Sequence, residues 1–148
     1  MASDPPVASD PYDLQRFVDA QDEDYEQVCA ELRNGQKTGH WIWFIFPQLR
    51  GLGHSSMATK FGISSRQEAE AYLAHPVLGP RLEECTRLVN LIEDRPIVHI
   101  FGAIDAMKFR SSMTLFASVK STKSVFSDAL KKYFGGELDP LTVERLKE

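Results

Sequence analysis

The stretch His40-Trp-Ile-Trp-Phe-Ile-Phe46, closed by Pro47, decides the fold class, because it is the only candidate strand in the sequence. Its aromatic and β-branched residues favour an extended backbone. The periodicity of so short an apolar run, however, does not separate a strand from a buried turn of helix. A parallel α/β sheet needs several strands between its helices. A single candidate strand therefore predicts the all-α class.

Helical patterns fill the sequence on both sides of this stretch. Before it, we predict one helix capped by Asp10 and a second that begins near Asp22 and ends at Asn34-Gly35. After it, Ser65 and Glu68 have the spacing of a capping box. Further caps are predicted at Ser55 or Ser56, Asp105, Ser124 and Asp139. We expect a disordered tail over residues 1–9 and a compact single domain of about seven to nine helices over residues 10–148.

Charge is unevenly distributed along a chain whose formal net charge is −4. Residues 1–34 hold nine acidic and two basic side chains, whereas residues 106–134 hold six basic and one acidic. The overall acidity makes nucleic-acid binding unlikely as the main function. The basic stretch is either an ordinary solvated face, a region packed near the acidic end, or a local surface for an anionic ligand.

Targeting and metal signals are weak. The start of the chain lacks the basic and apolar regions of a signal peptide, and the apolar run Trp41–Phe46 is too short to span a bilayer. Cys29 and Cys85 lie on apolar helix faces, which predicts reduced, buried thiols and a soluble, cytoplasmic protein without membrane contact. The four histidines are widely spaced, so we expect no metal site and no cofactor.

Two stretches near the apolar run have compositions that suit ligand binding. Gly51-Leu-Gly53 precedes a predicted helix. It is either an anion-binding turn or an ordinary turn, and the ordinary turn is favoured. The aromatic stretch carries polar groups at His40, Trp41, Trp43, Gln48 and Arg50. Such a mixture is found in pocket walls as well as in cores.

A third stretch runs from Asp105 through Lys108 to Phe116. Ser111, Ser112 and Thr114 place three hydroxyls within four residues of a predicted helix, although serine and threonine are poor choices for a helix interior. One explanation is close helix packing around small side chains. The other is a polar ligand held by Lys108 and the hydroxyls, and the composition favours packing slightly.

The chain from about Asp10 to Leu146 resembles a mainly bacterial family of domains of unknown function, whose members are sometimes labelled "calpastatin". The resemblance rests on several short motifs, in which Ile42 stands where a bulkier Met is usual. They are Arg16-Phe-Val-x-Ala-Gln21, His40-Trp-x-Trp-Phe-x-Phe-Pro-Gln48, Gly51-Leu-Gly53, Glu68-Ala-x-Ala-Tyr-Leu73, Leu78-Gly-x-Arg-Leu82, Phe101-Gly and Asp105-x-x-Lys108-x-x-Ser-Ser-Met-Thr-Leu-Phe116. The family implies an irregular stack of helix pairs and brings no established activity.

The matched polar positions, together with the two tryptophans, make up the candidate site. We predict that one pocket for a small anionic ligand gathers Gln21, His40, Trp41, Trp43, Gln48, Arg81, Lys108, Ser111, Ser112 and Thr114. His40 and Asp105 are weak candidates for acid or base catalysis, and whether the protein is an enzyme stays open. A fainter likeness to enzymes of NAD and ADP-ribose metabolism suggests nucleotide-like or ADP-ribose-like ligands. The alternative is a helical protein–protein interaction module without catalytic activity.

Overall fold

The computed structural model describes residues 9–120 and 122–147, and within these ranges the chain forms nine helices and no strand. The all-α class is therefore confirmed. The predicted tail, residues 1–9, lies outside the described residues except for Ser9, which is exposed. In chain order the helices are α1 Gln15–Arg33, α2 Ile42–Ile45, α3 Ser56–Lys60, α4 Arg66–Ala74, α5 Leu78–Asn90, α6 Ile97–Phe101, α7 Ala103–Lys120, α8 Val125–Phe134 and α9 Pro140–Leu146.

Helix α1 is continuous where the sequence suggested two helices, so that prediction was wrong. No glycine or proline interrupts the segment, and the acidic side chains around Asp22 form an exposed face instead of a new start. The predicted cap at Asp10 acts one turn before the helix. Its carboxylate accepts hydrogen bonds from the backbone N–H groups of Leu14 at 2.8 Å and Gln15 at 3.0 Å.

The aromatic stretch folds as the buried helical turn α2, and the extended backbone follows it. Residues 48–50 run parallel to residues 62 and 63, with Arg50 N–H donating to the Ile63 carbonyl at 2.8 Å and Ile63 N–H donating to the Gln48 carbonyl at 2.9 Å. This pairing needs Gly62, since a Cβ there would lie 2.8 Å from the Arg50 Cα. The apolar run has no partner strand in the part of the chain that the structure describes, and a helical turn satisfies its backbone groups instead.

Most predicted helix caps are confirmed. The side chains that accept a backbone N–H from the first turn are Ser55, Ser65, Ser124 and Asp139. The predicted capping box at Ser65 is only half formed. The Glu68 carboxylate turns instead to the Ser64 amide at 2.9 Å and to Arg16 at 2.9 Å. The Glu68 carboxylate therefore binds Arg16 and the Ser64 amide in place of the Ser65 amide that a capping box would use.

Helix α7 lies at the centre and packs against α4, α6, α8 and α9. Its Phe109 ring is stacked on Phe101 at 4.8 Å and meets Phe46 edge to face at 4.9 Å. Two helical turns further along, Phe116 lies 5.4 Å from Tyr72. These rings are buried, so the aromatic stretch and α7 together build one core.

Two further observations concern the thiols and the membrane. Cys29 and Cys85 are buried and unpaired, as predicted from their helix faces. Of the helices in the described ranges, none has both the length and the apolar character needed to span a bilayer.

Candidate functional site

The structure distributes the predicted site residues over separate places instead of gathering them around one pocket. Gln21 and Arg81 meet between α1 and α5, and Trp41 lies beside the end of α1. Lys108 and Trp43 pair near the start of α7, whereas the hydroxyls of α7 face α9. The roles proposed for these residues therefore differ from place to place.

Gln21 is fully engaged inside the protein. Its Nε2 donates to the Phe44 carbonyl at 2.7 Å and to the Tyr72 hydroxyl at 3.0 Å, and its Oε1 accepts from Arg81 at 3.4 Å. Arg81 also forms an ion pair of 2.9 Å with Asp22. Burial raises the pKa of Tyr72, so this hydroxyl stays protonated. The group joins α1, α2, α4 and α5, and Gln21 is only 1% exposed.

Trp41 is held by a carboxylate that no sequence motif indicated, that of Glu31. Its Nε1 donates to Glu31 Oε1 at 3.0 Å, and the same oxygen accepts the backbone N–H groups of Thr38 at 2.6 Å and Gly39 at 2.9 Å. Burial by itself raises the pKa of Glu31, but these donors outweigh it and lower the pKa to about 2. His40, in the same loop, is exposed and makes no hydrogen bond within the described residues.

A cluster of charges surrounds the start of α7. The Asp105 carboxylate lies 2.7 Å from Lys37 Nζ and 3.8 Å from Lys108 Nζ, which in turn lies 4.9 Å from the centre of the Trp43 ring. Asp105 is not the predicted cap, because α7 begins at Ala103 and places it in the first turn. One carboxylate thus faces two ammonium groups. The Trp43 Nε1 is buried and has no hydrogen-bond partner within the described residues.

Two of the three hydroxyls of α7, those of Thr114 and Ser111, hold α9 against α7 and favour the packing explanation. Thr114 Oγ1 donates to the Arg110 carbonyl at 2.8 Å and accepts the Asp139 N–H at 2.9 Å. Ser111 Oγ donates to the Asp139 carboxylate at 3.2 Å, which fixes the start of α9 against α7. Ser112 is fully buried, and its Oγ has no partner within the described residues.

Three of the predicted residues, Gln48, Lys108 and Ser111, line one cavity of about 250 Å³, which we call the Lys108 pocket. Its walls are mostly apolar, and Ile104 and Met107 are 72% and 73% exposed. The remaining lining residues are Leu52, Gly53, Arg110, Asp139 and Leu141. The pocket therefore combines an apolar rim with a few polar groups.

A second cavity of about 290 Å³, here called the arginine pocket, was not predicted as a site. It is lined by three arginines, Arg50, Arg66 and Arg145, and by no acidic residue. Of the three, only Arg50 lies in a stretch whose composition suits ligand binding. The other two lie far along the chain, and nothing in their local sequence signals that they converge.

Metal binding receives no support from side-chain geometry. Across residues 9–120 and 122–147, no group of three or more histidine, cysteine, aspartate or glutamate side chains could hold a metal ion. The two cysteine thiols, one on α1 and one on α5, contact each other and Tyr25.

Comparison with known proteins identifies the family and leaves the activity open. The chain belongs to the DUF1810 family, described as a protein of unknown function, whose model matches residues 11–146. The chain is similar to the conserved hypothetical protein Rv1873 from Mycobacterium tuberculosis, with which it shares 55% sequence identity. The match to the crystal structure of that protein covers 94% of this chain and 99% of the other, with a TM-score of 0.92. No curated protein matches. Neither the description of the family nor that of the similar crystal structure includes the label "calpastatin".

Proposed function

We propose that this member of the DUF1810 family binds a small organic anion in the Lys108 pocket. The observation that carries the proposal is the cavity itself, which places Lys108, Gln48 and Ser111 beside exposed apolar side chains. Ligand pockets combine mostly apolar walls with a few polar groups that orient the ligand. No reaction is assigned to the site.

The apolar rim supports a ligand with an apolar body. Ile104, Met107 and Leu141 are all more than half exposed, at 72%, 73% and 65%. Covering apolar surface is favourable by roughly 25 cal/mol per Å². A flat ring or short hydrocarbon that rests on these side chains would gain from their burial.

The net positive charge beside the pocket favours a ligand that carries an acidic group. Lys108 shares the Asp105 carboxylate with Lys37, so the three side chains together keep one positive charge. Asp139, the acidic lining residue, is already engaged by Ser111 and by the start of α9. Lys108 is therefore the cation best placed to meet an anionic ligand.

The volume limits the size of the ligand. A cavity of about 250 Å³ lies below the range of about 300–1,000 Å³ that is usual for drug-sized ligands. It suits one ring system with one acidic group, such as benzoate. A whole dinucleotide would extend beyond it.

A thermal-shift titration tests the proposal on the full chain. The compounds are AMP, NAD, ADP-ribose and benzoate, because a ligand that binds only the folded state raises the melting temperature. We expect at least one compound to stabilise the protein, with the effect lost in Lys108→Ala. Lys120→Ala is the matched control, since Lys120 lies on the same helix and pairs with Glu83 at 3.0 Å outside the pocket.

The outcomes distinguish the small-anion proposal from the protein-interaction alternative. If a compound stabilises wild type and Lys120→Ala but not Lys108→Ala, the pocket is the site. If a compound stabilises Lys108→Ala equally, Lys108 has no role in binding it. If no compound stabilises the wild type, the small-anion proposal fails, and the exposed rim of Ile104 and Met107 favours the protein-interaction alternative.

A further inference from the structure

We propose that the arginine pocket is a second, separate binding site and that it takes a phosphate group, as pyrophosphate or a small phosphate monoester. Arg50, Arg66 and Arg145 line this cavity of about 290 Å³. It does not share its cationic side chains with the Lys108 pocket. This proposal can therefore be supported or refuted independently of the proposed function.

Three different elements bring the arginines together. Arg50 is positioned by the parallel pairing of residues 48–50 with Ile63. Arg66 is the first residue of α4, and Arg145 lies in the last turn of α9. The pocket is thus built by tertiary structure, since no two of the three guanidinium groups come from the same element.

Each guanidinium is anchored by a backbone carbonyl without being satisfied by it. The contacts are Arg50 to Gly62 at 3.3 Å, Arg66 to Ser118 at 3.3 Å and Arg145 to Gly51 at 3.4 Å. A guanidinium has five N–H donors. These single, long hydrogen bonds orient the side chains and leave most donors available to a ligand.

Among the described residues, no carboxylate pairs with the arginines of the pocket. Within the described residues, none of the three arginines lies within 4.0 Å of an acidic side chain, whereas Arg16, Arg81 and five other basic residues do. The nearby acid of α4, Glu68, is occupied by Arg16 and Ser64. Three like charges that converge without a counter-ion raise the local affinity for an anion.

Local backbone geometry favours the same ligand. Gly51 has a φ of +95°, and a Cβ there would lie 2.8 Å from an Arg145 terminal nitrogen, so glycine lets the guanidinium rest against the chain. The N–H groups of Arg66 and Gln67, at the start of α4, have no acceptor within the described residues. They add donors to a site that the three arginines define.

The donor set selects phosphate among anions. Guanidinium groups form paired hydrogen bonds with phosphate or carboxylate oxygens. Three guanidinium groups offer more hydrogen-bond donors than one carboxylate can accept. They suit a phosphate that carries two or more negative charges. A nucleic-acid strand would need a longer basic track, whereas this cavity is small and the chain has a net charge of −4.

Isothermal titration of the full chain at constant ionic strength tests the site. The probes are sodium pyrophosphate and ribose 5-phosphate, which distinguish inorganic from organic phosphate, with sodium acetate as a monoanion. We expect pyrophosphate or ribose 5-phosphate to bind and acetate not to bind. Arg145→Gln should weaken phosphate binding about tenfold or more, because a charged hydrogen-bonding partner is lost.

Two controls make the test specific. Arg145→Lys keeps the charge and loses the paired geometry, so it should bind more weakly than wild type and more tightly than Arg145→Gln. Arg33→Gln removes an exposed arginine that lines neither pocket, and it should bind as wild type does. Melting temperatures identify any variant that is not folded.

Several results would overturn the site. They are the absence of phosphate binding to wild type, an equal loss in Arg33→Gln, and binding to a single-stranded RNA without terminal phosphate in the absence of pyrophosphate binding. Lys108→Ala should leave phosphate affinity unchanged. Loss of binding in that variant would place the anion in the Lys108 pocket instead, so the two proposals fail in different ways.

Discussion

Replacing Glu31 with glutamine should destabilise the protein in a manner that depends strongly on pH. The Glu31 carboxylate accepts hydrogen bonds from two backbone amides and from the Trp41 indole, and a fourth comes from Gln27 at 2.9 Å. Glutamine keeps one oxygen acceptor but loses the negative charge. It also turns the second acceptor atom into a donor, which then faces other donors.

The magnitude follows from the ionisation of the carboxyl. A pKa that falls from its ordinary value of 4.5 to about 2 in the folded state corresponds to about 3 kcal/mol of stability at pH 7. Because the folded-state pKa is depressed, this stability is present above the unfolded-state pKa and is lost as the pH falls toward 2. By pH 3 the contribution should be less than half of its value at pH 7.

Urea unfolding followed by circular dichroism at pH 7, 5, 4 and 3 measures the effect. At pH 7 we expect Glu31→Gln to be about 2–3 kcal/mol less stable than wild type, which for a chain of this size lowers the melting temperature by roughly 4–12 °C. Glu26→Gln, an exposed position on the same helix, should change stability by less than about 0.5 kcal/mol. A difference between wild type and Glu31→Gln that stays constant from pH 7 to pH 3 would refute the electrostatic account.

Two further substitutions test packing, both by urea unfolding at pH 7. Gly79→Ala should destabilise α5 by about 1–3 kcal/mol, although alanine normally favours a helix, because the new Cβ would clash with the Leu73 carbonyl oxygen. A stabilised variant would contradict that close approach. Gln21→Leu should cost about 1–3 kcal/mol, since it leaves the Phe44 carbonyl and the Tyr72 hydroxyl without their buried donor. Unchanged stability would show that water or a repacked side chain replaces the amide.

The helices could be predicted where their ends carry their own chemistry. Ser124 and Asp139 cap the helices that follow them through contacts within three residues, so a short sequence window contains the whole interaction. The same reasoning failed near Asp22, where the sequence suggested the start of a second helix but α1 continues without a break. Local sequence does not tell a cap from a solvated carboxylate when no breaker accompanies it.

The aromatic stretch shows why propensity was not enough. Trp41, Phe44 and Phe46 would each suit a strand, yet the chain offers no partner strand beside them. Their rings pack against α6, α7 and the 61–63 segment instead. Burial from several sides by distant elements overrides a local preference of about 1 kcal/mol across the whole scale.

The candidate site was predictable in composition and not in arrangement. Lys108 and Ser111 could be placed on one helix, and Gln48 joined them only through the path of the chain after α2. The arginine pocket depends on Arg66 and Arg145, which are 79 residues apart in the numbering of the chain. Convergence over that distance is a property of tertiary packing, which one sequence does not display.

Both pockets lie where the chain is least regular, and this has a physical basis. Residues 48–53 line the Lys108 pocket on one side and the arginine pocket on the other, and α9 does the same through Leu141 and Arg145. Polar groups between long helices, such as Gln21 and Glu31, are saturated by internal partners. The three arginines of the arginine pocket keep unused donors where segments from different elements meet at the surface, and the proposed phosphate is the partner that suits their chemistry.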